Sequence, residues 1–166
     1  MKSFTVLAIV CAAVLLSGCR APMRSQTARQ ADEHAVLLAV LAHMVTKADD
    51  SVETICFVNL SPSDVDRLRR DCGVRYQIFP MEMSEEYTIK RSSPDGREDV
   101  SEWRISLNGT QKEGVHIEAE VTKIHDGEAI AIGSYQGRLF GSGWRFRLQY
   151  SKGVWSVVSG ECTVAV

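Results

Sequence analysis

The sequence predicts an α+β fold: an N-terminal helix packed on a curved antiparallel β-meander of four to five strands, with a short helix after the first strand. Three observations carry this expectation. Apolar residues recur at helical spacing over residues 33–46. From Val100 onward the apolar period becomes two. Turn dipeptides then punctuate the chain at Asn108-Gly109, Asp126-Gly127 and Lys152-Gly153. A length of 166 residues, with 45% hydrophobic and 24% charged residues, fits one globular domain and excludes collagen-like, coiled-coil and wholly disordered chains. Lys+Arg of 19 against Asp+Glu of 21 leaves a formal charge of −2, too balanced for a nucleic-acid partner or a polyanionic substrate.

Asp32 is expected to cap the first helix, Glu33 to Thr46, where Val36, Leu37, Val40, Leu41, Met44 and Val45 form a wide apolar stripe. Val52 to Leu60 reads as a strand. Ser61-Pro62-Ser63-Asp64 then has the residues of an N-cap, a proline at the first helical position and a capping-box acid, opening a short helix through Arg70. Arg75 to Phe79 reads as another short strand, and Pro80 to Glu98 as a polar, turn-rich stretch with a turn at Ser93-Pro94-Asp95-Gly96. Beyond it, Trp103, Ile105 and Leu107 alternate, then Val115, Ile117, Ala119 and Val121. Ala129 to Phe140 follows as a long strand, and Gly141-Ser142-Gly143 as a turn. Trp144, Phe146, Leu148 and Tyr150 point one way, and Arg145, Arg147 and Gln149 the other. Lys152-Gly153 leads into a last strand through Val164. Antiparallel strands from about residue 100 to 164 make a sheet with one apolar face, which the first helix covers.

The N-terminus reads as an address. After Met1-Lys2-Ser3, Phe4 to Leu16 is an uncharged run of thirteen residues. As a helix it spans about 20 Å, short of the roughly 30 Å hydrocarbon core, so it fits a signal-peptide h-region and not a membrane span. Leu16-Ser17-Gly18-Cys19 then resembles the lipobox of bacterial lipoproteins. The resemblance implies cleavage before Cys19, a diacylglyceryl group on its thiol and an acylated (palmitate-bearing) new N-terminus. Two or more acyl chains make a stable anchor where one is marginal. The implied division is a signal peptide over 1–18, a lipid anchor and flexible tether over 19–30, and a single globular domain over 31–166. The implied location is the cell membrane or outer membrane, with the domain facing the periplasm or exterior and an envelope protein as partner. Arg20, not Asp, follows Cys19, which favours the outer membrane where sorting follows the enterobacterial rule.

Glu128 to Val158 also resembles the C-terminal block of small bacterial proteins: a glycine-rich strand, a G-x-G turn, an aromatic strand and K-x-G-x-W-x-V. The same ending occurs in cystatin-like and NTF2-like curved sheets. The resemblance implies a fold and carries no catalytic residue.

Candidate chemistry is sparse, and no cofactor or metal motif is found. Three cysteines follow the anchor: Cys56, Cys72 and Cys162. An oxidising compartment favours a Cys56–Cys72 disulfide, worth roughly 3 kcal/mol for a loop of this length, with Cys162 a buried free thiol on the last strand; three small buried hydrophobes is the competing reading. His34 and His43 lie about 180° apart around one helix and cannot share a metal. His116, Glu118 and Glu120 share a strand face, a metal or acid–base patch in one reading and a solvated face in the more economical one. His125-Asp126-Gly127 is a turn before it is a dyad. Gly133-x-Tyr135-x-Gly137, with Trp144 and Arg145 in the next hairpin, admits a concave aromatic pocket around Tyr135 and Trp144; sheet curvature beneath the helix explains the glycines more simply. Two functional classes therefore stay open: a non-catalytic binding or structural protein of the envelope, and an envelope enzyme or small-ligand-binding protein using the concave face of an NTF2-like sheet. The absence of a convergent polar constellation in the sequence favours the first.

Overall fold

A computed structural model describes residues 26–47, 55–73, 76–92, 99–137 and 141–165. The chain divides into two compact units, Met1–Ala31 and Asp32–Val166. Of the first, only the start of a helix is described, α1 (Gln26–Lys47). That helix begins inside the segment expected to be a tether, and Asp32, expected as its cap, lies within it. The remaining elements belong to the second unit: β1 (Ile55–Val58), α2 (Pro62–Cys72), β2 (Gln77–Pro80), a 3₁₀ turn (Met81–Met83), β3 (Ser84–Ser92), β4 (Asp99–Leu107), β5 (Gly114–His125), β6 (Glu128–Gln136), β7 (Gly141–Ser151) and β8 (Val154–Ala165).

The fold is α+β, as expected, with more strands than four to five. A six-stranded sheet runs in the order β2-β1-β5-β6-β7-β8, and β3 and β4 form a separate two-stranded ribbon. The meander proper is β5 to β8, antiparallel throughout. β1 pairs in parallel with both β2 and β5, so β1-α2-β2 is a crossover unit appended to the meander. This explains why β4 is not the meander's first strand. β1 occupies the edge of β5 that β4 would need, leaving only a single bridge between Ser106 and Glu113. β4 turns instead to β3, in a register that sets Thr88 against Trp103 and Glu86 against Ile105. β3 itself falls in the stretch expected to be turn-rich, because its row beside Trp103 and Ile105 is polar and carries no hydrophobic alternation. The Ser93–Gly96 turn lies outside the described residues.

Asp126-Gly127 and Lys152-Gly153 make two-residue hairpin turns with positive φ at both positions (47° and 78°; 52° and 86°), the pairing whose twist matches flanking strands. Gly141-Ser142-Gly143 is not a turn: it opens β7, paired to Ser134, Tyr135 and Gln136.

Apolar residues pack on both faces of β1, and on one face only of the meander. On one face α1 and α2 bury Val36, Val40, Leu41, Met44, Val45, Val65 and Leu68 against Cys56, Val58, Ile117, Ala131, Phe146, Leu148 and Trp155. On the other, the ribbon covers Ile55 and Phe57 with Ile105, flanked by Trp103 and Leu107. β1 is buried along its whole length for this reason. α2 starts as the sequence indicates: Ser61 is the N-cap, its Oγ accepting from the Asp64 amide at 3.3 Å, with Pro62 at the first position. It ends on Gly73 at φ 85°, whose amide donates to the Arg69 carbonyl. His34 of α1 meets Asp64 of α2 at 3.0 Å. The Ser61 hydroxyl foremost, with His34 assisting, holds the Asp64 carboxyl below its ordinary range.

The last turn of α1 leaves backbone carbonyls without intrahelical partners. Two tyrosines supply them: Tyr135 donates to the Met44 carbonyl at 2.6 Å and Tyr76 to the Thr46 carbonyl at 3.2 Å. Leu41 is 2% exposed at the centre of this interface. Leu41→Ala is expected to lower unfolding free energy by about 2–5 kcal/mol, and Leu41→Asp by more, because it buries an unpaired charge. Urea unfolding of the two variants measures this; an unchanged midpoint in Leu41→Asp would contradict the packing.

Candidate functional site

Among the described residues, polar side chains gather at the junction of ribbon and sheet, on the ribbon itself, and on the face of β5–β8 opposite the helices. At the junction, His116 of β5 is 7% exposed. Phe57 and Trp103 meet its ring edge-on, at centroid distances of 5.8 and 6.4 Å. Its Nε2 lies 2.8 Å from the Ser84 hydroxyl and its Nδ1 3.7 Å from Glu86 Oε1. Serine, imidazole and carboxylate in that order have the connectivity of a nucleophile relay. The hydrogen bonds direct the protons elsewhere. Ser84 donates its one hydroxyl proton to the Met81 carbonyl at 2.6 Å, so the imidazole Nε2–H donates to Ser84 Oγ and cannot accept from it. Burial lowers the His116 pKa, against the opposing pull of Glu86 and Glu118. The cluster clasps the ribbon to the sheet through one neutral histidine.

On the ribbon, Arg104 is 8% exposed and donates to Glu102 at 2.8 Å and to Glu113. Those two carboxylates, one from its own strand and one from the residue just before β5, compensate a charge that burial alone would make prohibitive.

The face opposite the helices is open. One groove of about 670 Å³ is lined by Lys123, His125, Glu128, Ile130, Arg147 and Val158, among others. A second, of about 590 Å³, is not confined to that face: Leu37 of α1 and the helix-side Trp144 line it together with Glu118, Glu120, Ile132 and Thr163. Ile132, Val158 and Val164 are exposed between the charged side chains.

The residues singled out from sequence fall apart in space. Cys19 lies outside the described residues. Tyr135 does not line either groove; its hydroxyl is committed to α1, and burial raises its pKa. Trp144 lines the second groove, stacks on Phe146 at 6.3 Å and donates from Nε1 to Ser142. Neither of these two grooves brings Tyr135 and Trp144 together. Gly133 has another use: a Cβ there would lie 2.5 Å from the Met44 sulfur and 3.1 Å from the Phe146 ring, so its bare backbone admits the Met44 side chain. Glu118 and Glu120 are exposed, as a solvated face requires, whereas His116 on the same strand face is covered by the ribbon. His43 packs edge-on against Phe146 at 5.7 Å, its pKa lowered by burial and by Lys47. His125 pairs with its neighbour Asp126 at the exposed turn.

Cys56, Cys72 and Cys162 are free thiols. Cys56 is buried among the helix-side residues, its pKa pushed up to about 12 by burial and by the nearby Cys72; burial and Asp71 push Cys72 to about 11. Cys162, expected to be buried, is exposed, because β8 extends beyond the cover of the helices. Among the described residues no group of three His, Cys, Asp or Glu side chains is placed to hold a metal ion, and no helix is long and apolar enough to cross a membrane.

Sequence reasoning missed Ser84 and Glu86, which meet His116 only through the ribbon's fold-back and leave no local signal. Glu102-x-Arg104, on one strand face, could have been read as an ion pair. Comparison with protein-family models, with curated proteins and with solved structures finds no match to the chain.

Tyr135→Phe isolates the helix clamp. It is expected to cost about 1–3 kcal/mol, the penalty of a buried carbonyl left without its donor, read from chemical denaturation. A loss below about 0.3 kcal/mol would show that water replaces the hydroxyl at no cost.

Proposed function

We propose that the protein is a lipid-anchored protein of the bacterial cell envelope with a non-catalytic binding or structural role. The observation that carries this reading is the Leu16-Ser17-Gly18-Cys19 run directly after the uncharged segment Phe4–Leu16; these residues lie outside the described ones. Support for the non-catalytic role comes from how the polar groups are used. Ser84, His116 and Tyr135 spend their hydrogen bonds on joining elements of the fold. The anchor residue Cys19 fixes the domain to a membrane, and the uncovered face of β5–β8 is the surface free to meet an envelope partner. A second reading, an envelope enzyme or small-ligand-binding protein using that face, draws on one observation: a groove of about 670 Å³ there falls in the size range of small-molecule sites.

Fractionation of cells expressing the native chain and a Cys19→Ala variant tests the anchor. The native protein is expected in the membrane fraction, with an N-terminal peptide starting at Cys19 and carrying fatty acid, and Cys19→Ala is expected to lose the acyl mass. Native protein that is soluble and free of fatty acid would overturn the reading.

For exported protein the proposal includes a Cys56–Cys72 bond. Both residues sit on the helix-side core, and each thiol is close enough for the first to sense the second. The high thiol pKa values keep the thiolate fraction low and make exchange slow. Peptide mapping without reduction is expected to recover the two segments linked and Cys162 free. Cys56 joined to Cys162, or three free thiols after native export, would refute it.

A further inference from the structure

We propose that His116 makes the β3–β4 ribbon an acid-released flap: proton uptake by its imidazole opens the ribbon from the sheet while the helix-side core stays folded. The ribbon is held by a small contact. Among the described residues its apolar interface contains three buried ones, Ile55, Phe57 and Ile105, against sixteen in the helix-side cluster. His116 sits inside that small interface and touches each of its parts: Phe57 of β1, Ser84 at the start of β3 and Trp103 of β4. Local opening of the ribbon therefore requires far less than global unfolding, and one ionisation in its interface has a large relative effect.

The groups facing the imidazole set the direction. From β3, Glu86 lies 3.7 Å from Nδ1, and Glu118 lies two residues along on its own strand; both favour the charged form. β1, β4 and β6 present Phe57, Trp103 and the paired Gln136, none of them charged. Glu102 and Arg104 occupy the alternate positions of β4, on the ribbon's far face. With two aromatic rings against it and Glu86 beyond hydrogen-bond distance, the buried imidazole is harder to protonate than a free one. When the ribbon opens, the ring enters water and regains its ordinary affinity for a proton. Opening is thus linked to uptake of one proton. The opening constant is flat above about pH 6.5, rises by up to tenfold for each pH unit below it, and levels off once the closed form also protonates.

Hydrogen exchange of the full-length protein, corrected for intrinsic rates and followed from pH 7.5 to 4.5, tests this. The expected result is a loss of protection in β3 and β4 that begins near pH 6.5, before any loss in β6 and β7. Glu86→Gln, a change at a half-exposed side chain, is expected to leave the onset near pH 6.5 and to deepen the loss below it, carrying the levelling-off to lower pH, because without that anion the closed form is harder still to protonate. His116→Gln is expected to abolish the acid step in the ribbon; should that variant not fold, the native protein and Glu86→Gln decide the matter. Ribbon protection that is flat in pH, that falls only together with β6 and β7, or that responds identically with and without Glu86 would overturn the proposal.

Discussion

The close seating of α1 on β6 is the constraint from which the rest of the second unit follows. Gly133 lacks a side chain, so Met44 drops onto the strand, and Tyr135, two residues along the same face, reaches the Met44 carbonyl. One strand thus supplies both the gap that admits the helix and the donor that terminates it. With α1 fixed there, its stripe of Val36, Val40, Leu41 and Val45 covers the apolar rows of β5–β8. α2 closes the same layer through Val65 and Leu68, joined to α1 by the His34–Asp64 contact. The opposite face of the meander is then left to solvent, except where the ribbon covers β1 and the start of β5.

Much of this architecture is legible in the sequence, because it rests on local chemistry. The stripe from Val36 to Val45 has only one way to be buried, and Asp126-Gly127 and Lys152-Gly153 dictate tight hairpins. Ser61-Pro62 starts a helix wherever it occurs before a suitable run. What escapes are decisions made between distant segments. Nothing near β4 reveals that β1 has taken the edge of β5, and the polar row of β3 resembles a loop until Trp103 and Ile105 stand beside it. The start of α1 was equally hidden: Gln26 to Ala31 contains no apolar stripe to mark it.

The candidate site shows the same division. Glu118 and Glu120 behave as the alternation requires, but His116, identical in phase, is buried by an element whose course could not be foreseen. Tyr135 and Trp144 are neighbours in strand order yet serve different purposes, one ending a helix and the other lining an open groove. Polar residues that look chemically suggestive in a list become joints when their partners are backbone carbonyls. This use of polar groups is what the proposed non-catalytic role draws on.

A double-mutant cycle on Gly133 and Met44 tests the central constraint most directly. Gly133→Ala alone is expected to destabilise, since the new methyl would lie within 3 Å of the Met44 side chain, at a cost of about 1–3 kcal/mol for overpacking. Met44→Ala alone is expected to cost about 2–5 kcal/mol through the cavity it leaves. If the helix is seated by this contact, the double variant recovers part of the loss, with a coupling of about 1 kcal/mol or more. Strictly additive losses would show that Met44 does not occupy the space above Gly133 and would contradict the account.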